Sequence, residues 1–142
     1  MNINISSDHA GFDLKKDIIE HLSKRFSIED LGPFSAESVD YPDFAHKLAN
    51  NLLDDDVDFG ILICGSGNGI SMAANKHTNI RAALCWNEEL AALSRQHNNA
   101  NVLSLPARFI SSKLALAIVD VFLATSFEGG RHLRRVNKIN CV

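Results

Sequence analysis

Residues 59–64, FGILIC, are apolar throughout and run straight into GSGNG (65–69), where three glycines alternate with Ser66 and Asn68. A strand with no polar side to turn toward water is buried on both faces, as the strands of a parallel sheet are. Burial on both faces demands helices above and below the sheet, so the chain must alternate strand and helix. The remaining sequence supplies that alternation. NINIS (2–6), FSIEDL (26–31), IRAALC (80–85) and NVLSL (101–105) read as four further strands. Apolar residues at helical spacing predict helices over 11–25, 41–55, 70–76, 87–97 and 111–124, and a basic helix follows Gly129-Gly130 over about 130–140. Pro42 suits a helix start. The links are short, and there is no repeat, low-complexity tract or Pro/Ser linker. The pattern predicts one domain over 1–142, a five-stranded parallel sheet with helices on both faces. Ligands of such sheets bind at the carboxyl ends of the strands. That directs attention to SDHAG (7–11), Tyr41, CGSGNG (64–69), His97-Asn98 and PAR (106–108).

Charge and cysteine content narrow the classes. The 142 residues carry 14 Lys+Arg against 17 Asp+Glu, a formal net charge of −3. No polybasic footprint exists for nucleic acid. The start, MNINISSDHAG, lacks the charged-then-apolar order of a secretory leader. LALAIVDVFLA (114–124) is too short for a membrane span and contains Asp120. Cys64, Cys85 and Cys141 make an odd set without CxxC spacing, which disfavours a disulfide framework or zinc ribbon. The expectation is a reduced, cytoplasmic protein.

Several segments carry potential chemistry beside a plainer role. The glycines of 65–69 can point amides at an anion, with a helix start behind them, or can simply make a tight turn. A dinucleotide fingerprint needs glycine where Ile70 stands, and a phosphate loop needs a lysine that is missing. Cys64 is either a thiolate nucleophile or base, or the last buried residue of its strand. Cys85 has the same placement without a glycine loop and reads as core. Asp8 can cap the following helix, or with His9 can place a carboxylate and an imidazole beside Cys64. His97 can exchange a proton near neutrality, or can merely suit a helix C-terminus with Asn98 in the turn. Arg131 and Arg135, four apart, share a helical face and suit a phosphate, with Arg108 as a third cation. Arg134 falls on another face. His21, His46 and His77 read as unpartnered surface residues. A zinc site from His9, Cys64 and His97 lacks any ligand spacing.

DHAG (8–11), VDYPDFA (39–45), ILICGSGNGISMAANK (61–76), RAAL (81–84), SRQHNNANVL (94–103) and EGGRH (128–132) occur in one chain and in this order. Together they resemble the ribose-5-phosphate isomerase B family, within the wider group that includes galactose-6-phosphate isomerase. The resemblance runs from about residue 3 to 137. It implies a Rossmann-like α/β/α sandwich and a homodimer or dimer of dimers whose active sites draw on two subunits. It implies interconversion of D-ribose 5-phosphate and D-ribulose 5-phosphate in the pentose phosphate pathway, with no metal or organic cofactor. It also implies roles. Cys64 is the base that moves a proton between C1 and C2, and Ser66, where many members have Thr, assists near the reacting carbons. The amides of Gly65, Ser66, Gly67, Asn68 and Gly69 stabilise the enediolate. His97 protonates the ring oxygen, and Asp8 holds hydroxyls and aids ring opening. Tyr41 and Asn98 line the sugar, and His9, Arg108, Arg131 and Arg135 bind phosphate. A branch of the family replaces the cysteine with a glutamate after the third glycine. Here that position is Ile70, so the resemblance is to the cysteine branch.

Two alternatives remain at this level. One is an isomerase of allose 6-phosphate or galactose 6-phosphate, although the galactose enzyme splits its catalytic residues between two different chains. The other is a non-catalytic sugar-phosphate-binding module, which accounts for the glycines and arginines but not for Cys64, Asp8 and His97 at one sheet edge.

Overall fold

The computed structural model describes residues 1–53 and 56–140, so Cys141 and the predicted helix end at Asp54-Asp55 lie outside the described residues. The predicted alternation is present: β1 (Asn2–Ser7), α1 (Phe12–Leu22), β2 (Ser27–Asp30), α2 (Tyr41–Asn51), β3 (Phe59–Cys64), α3 (Asn68–Ala74), β4 (Ala82–Leu84), α4 (Glu88–Asn98), β5 (Val102–Pro106), α5 (Ser112–Ala124) and α6 (Arg131–Val136). The strands pair in parallel in the order β2-β1-β3-β5-β4.

β3 earns its apolar sequence from its central place. Ile61 and Ile63 join Ile3, Ile5, Leu103 and Leu105 against α1, α4 and α5, where Ile18, Ala91, Ile118 and Phe122 fill the layer. Leu62 and Cys64 point the other way, onto Ala45, Leu48, Ile70 and Ala74 of α2 and α3. Each fully buried Ile or Leu of this strand contributes about 1.5–3 kcal/mol by leaving water. The result is the three-layer sandwich with a Rossmann-like parallel sheet.

Boundaries shift where polar side chains intervene. β4 is shorter than IRAALC because the Arg81 amide donates to Asn101 Oδ1 at 2.8 Å instead of joining the ladder. α3 begins two residues early, because Gly67 at φ +76° turns the chain directly into the helix. The segment before α1 is a separate 3₁₀ turn, His9–Gly11, capped by Asp8. Three histidines expected to stand alone have partners. His46 Nδ1 lies 2.7 Å from His77 Nε2, and His21 Nε2 lies 2.9 Å from Asp120 Oδ2. In the second case burial alone would raise the Asp120 carboxyl, but hydrogen bonds from Arg25 and His21 win and hold it below its ordinary value. Helix packing brings these residues together from far apart in sequence, which periodicity does not encode.

The strand order sets the position of the site. The chain leaves β1 toward β2 on one side, then crosses back so that β3 leads toward β5 and β4 on the other. The loops after β1 and β3 therefore diverge and open a crevice at the carboxyl edge of the sheet.

Candidate active site

Cys64 closes β3 at that crevice and is 4% exposed. The Gly67 amide donates to its sulfur at 3.2 Å and fixes where that sulfur points. Gly67 can do this because its left-handed backbone folds the loop back, and its own carbonyl is pinned at 2.8 Å by the Ser104 hydroxyl. The Asn68 amide donates to Ser66 Oγ at 3.3 Å. The loop thus spends two of the five amides expected to face a ligand on its own side chains, and Gly65, Ser66 and Gly69 retain theirs for that purpose. Gly69 must lack a side chain, since a Cβ there would fall 2.5 Å from Tyr41 Cζ. The hydroxyl end of the Tyr41 ring, at the start of α2, therefore packs directly on Gly69.

The neighbouring strands deliver the other side chains. Asp8, 7% exposed, follows β1, and its amide donates to Ile63 O at 3.0 Å, which locks the two strand ends together. One carboxylate oxygen, Oδ1, accepts from the Gly11 amide at 3.1 Å, so the capping role is real. His9 Nδ1 accepts from the Val39 amide at 3.3 Å, which places the ring proton on Nε2. After β5, the Arg108 amide donates to Gly65 O at 3.0 Å, and its guanidinium rests beside Gly65. Cys64, Ser66, the loop amides, Asp8, His9, Tyr41 and Arg108 therefore share one edge, next to a cavity of about 500 Å³ lined by Ser66, Asn68, Trp86, Phe109 and apolar neighbours.

His97, Asn98, Arg131 and Arg135 do not join them. A helix linking parallel strands runs back against them, so the C-terminus of α4 arrives at the amino edge, where β5 begins. The expectation of His97 at the Cys64 edge is corrected on this ground. His97 instead stacks on His132 of α6, ring centroids 4.2 Å apart and planes 8° from parallel. Glu128 completes the group, with Oε2 3.6 Å from His132 Nε2. Burial, together with the charges of His97 and Arg131, holds the His132 imidazole below its ordinary pKa against the pull of Glu128. His132 and Glu128 received no role from sequence. Their i,i+4 spacing in EGGRH was the available signal.

Metal ligation fits poorly as arranged. His9 and Cys64 lie at the edge opposite His97. Among the described residues His97, Glu128 and His132 bring ligand atoms within 4.8 Å. An ion must lie near the plane of each imidazole that binds it, and two parallel stacked planes do not meet at one point. Cys85 behaves as core: it is 1% exposed, and burial pushes its thiol up to about 11 despite a hydrogen bond to Ser94.

Comparison with known proteins agrees with the architecture. A family model described as Ribose/Galactose Isomerase matches residues 3–139. The chain is 54% identical to a probable ribose-5-phosphate isomerase B of Mycoplasma genitalium, over 97% of this chain and 93% of that protein. It is 46% identical to ribose-5-phosphate isomerase B of Escherichia coli, over 99% and 95%. The crystal structure of the Thermotoga maritima ribose 5-phosphate isomerase superposes with a TM-score of 0.97 at 53% identity, covering 99% of this chain and 98% of that one. The Mycoplasma genitalium enzyme with bound ribulose-5-phosphate superposes at 0.93 with 53% identity, covering 97% and 93%. With a family model matching residues 3–139 and relatives 46–54% identical over nearly the whole chain, the chain belongs to the ribose/galactose isomerase family.

Proposed function

We propose that the protein interconverts D-ribose 5-phosphate and D-ribulose 5-phosphate. The observation that carries this reading is Cys64 at the strand end with its sulfur held by the Gly67 amide, facing a loop with further amides to offer. A thiolate there takes the proton from C2 of the open-chain aldose and becomes a thiol. The electron pair left behind forms a C1–C2 enediolate, with its charge on O1. The amides of Gly65, Ser66 and Gly69 stabilise that charge where it develops. The thiol then returns a proton to C1 while the O2 proton passes to O1, with Ser66 beside the reacting carbons. Asp8, with Oδ2 free of the cap, holds sugar hydroxyls, Tyr41 lines the sugar, and His9 and Arg108 take the phosphate. Phosphate held far from C1 and C2 fixes the reacting end in place.

The site is incomplete in one copy, and that favours a homodimer. Ring opening breaks the C1–O4 bond, delivers a proton to O4 and removes one from the C1 hydroxyl. Asp8 can accept the second proton, but the donor, His97, is at the far edge with Asn98, Arg131 and Arg135. A second copy brings these four to the crevice, and the exposed Trp86 and Phe109 beside it, 54% and 75% exposed, offer apolar surface for that contact. Among the described residues no helix is long and apolar enough to cross a membrane. The test is ribose 5-phosphate in heavy water. Formation of the ketose with deuterium at the C1–C2 end is expected; binding with neither would leave only a sugar-phosphate-binding module.

A further inference from the structure

We propose that His132 is a positioning residue for His97: its ring, held between the His97 imidazole and the Glu128 carboxylate, sets the plane from which His97 delivers a proton to the ring oxygen of the cyclic sugar phosphate. This inference rests on the isomerase reading above. α6 is otherwise an exposed helix, with Arg131, Leu133, Arg134 and Arg135 all open to solvent, yet His132 is 8% exposed. An exposed basic helix has no need to bury an imidazole for its own sake. The buried ring lies face to face with His97 at 4.2 Å, the arrangement that resists rotation of the partner ring most directly. Its Nε2 has no hydrogen-bond partner among the described residues and is aimed at Glu128 Oε2, 3.6 Å away. A buried polar atom left short of a full bond is retained where its placement serves something else.

The clamp is tied to α4 by the main chain. The Glu128 amide donates to Gln96 O at 3.1 Å, next to His97, and the His132 amide donates to Gly129 O at 3.0 Å. The charged groups around His132 are His97 from α4, Glu128 from the segment before α6, and Arg131 and Arg135 from α6 itself. The stacked His132 ring fixes the orientation of His97 without taking a place at the sugar. His132 therefore acts through His97 and does not touch the sugar.

The chemistry of the two substrates separates this role from general damage. Ribose 5-phosphate is a furanose closed through O4 and must be opened. Ribulose 5-phosphate, with its C5 oxygen esterified, has no five-membered ring to open, so deuterium exchange at its C1 reports the Cys64 step alone. Misplacing a general acid costs up to about 10²-fold, so His132→Ala should lower turnover of ribose 5-phosphate by about 10–100-fold. Exchange at C1 of ribulose 5-phosphate should stay within about threefold of wild type, which also certifies the fold. His132→Phe, which keeps a flat ring against His97, should recover most of the lost turnover. Unchanged turnover in His132→Ala, an equal fall in turnover and exchange, or no recovery with Phe would each overturn the inference. Wild-type protein that exchanges no deuterium would remove the isomerase reading itself, and this proposal with it.

Discussion

The two edges of the sheet are built in opposite ways. At the carboxyl edge, strand ends and the glycine loop hold the proposed base in a fixed frame: Asp8 is bonded to Ile63, Cys64 to Gly67, Gly67 to Ser104, Arg108 to Gly65. At the amino edge the proposed acid sits on a helix end and is held by side-chain stacking against a short helix from the C-terminal part of the chain. Proton abstraction from carbon needs a site that excludes water and does not relax, and a parallel sheet supplies it. Ring opening asks only for an acid at the right angle, and in the proposed homodimer a helix end from the second copy supplies it. The proposed homodimer, by joining opposite edges, would bring both into one crevice without moving either.

The largest effect should come from exchanging damage between the edges. Cys64→Ala removes the base and should cut both ribose 5-phosphate turnover and C1 exchange by about 10³-fold, within the range for general base catalysis. His97→Asn should cut turnover by about 10²-fold while exchange persists. Equal loss of both activities in both variants would erase the proposed division of labour. Next, Cys64→Ala and His97→Asn chains co-refolded in equal amounts should regain about a quarter of wild-type turnover, since half the dimers are mixed and each has one intact site. Activity no higher than that of either variant alone would mean that each copy completes its own site.

The smallest effect tests the contrast within the carboxyl edge, between Cys64 at the end of β3 and Cys85 just after β4. Cys85→Ala should leave turnover within about twofold, because its sulfur touches Ala83 O rather than a ligand-facing amide. Its mark is on stability. The folded thiol, pushed from 9.0 to about 11, keeps its proton after the unfolded chain has lost it. The stability this confers is whole below pH 9 and lost as pH rises from 9 to 11. At about 1.4 kcal/mol per pH unit it amounts to about 2–3 kcal/mol. Urea midpoints measured across that range should fall more steeply for wild type than for Cys85→Ala; parallel slopes would refute the assignment.

Much of this was legible in sequence. The continuous burial of FGILIC dictated a central strand, and the alternation around it dictated a parallel sheet with helices on both faces. Asp8, His9, Tyr41, the glycine loop and Arg108 were drawn to one edge by the rule that loops after parallel strands share it. His97 is the exception, because a residue at a helix end before a strand does not share the edge of the loops that follow strands. α4 must run against the sheet, and its end belongs to the amino edge. Residue type alone does not separate Cys64 from Cys85; the glycine loop after Cys64 does, and through it a backbone N–H meets the sulfur of Cys64 where a backbone carbonyl meets that of Cys85.

By itself the sequence determined the elements, the buried faces and the chemistry available at each loop, because hydrophobic periodicity and turn residues act over a few neighbouring positions. Tertiary structure alone decided the strand order, the crevice between β1 and β3, the Gly67 amide on Cys64 and the stacking of His97 on His132. Each of these joins residues through packing and backbone geometry that no local pattern contains. The same geometry leaves acid and base at opposite edges of one sheet.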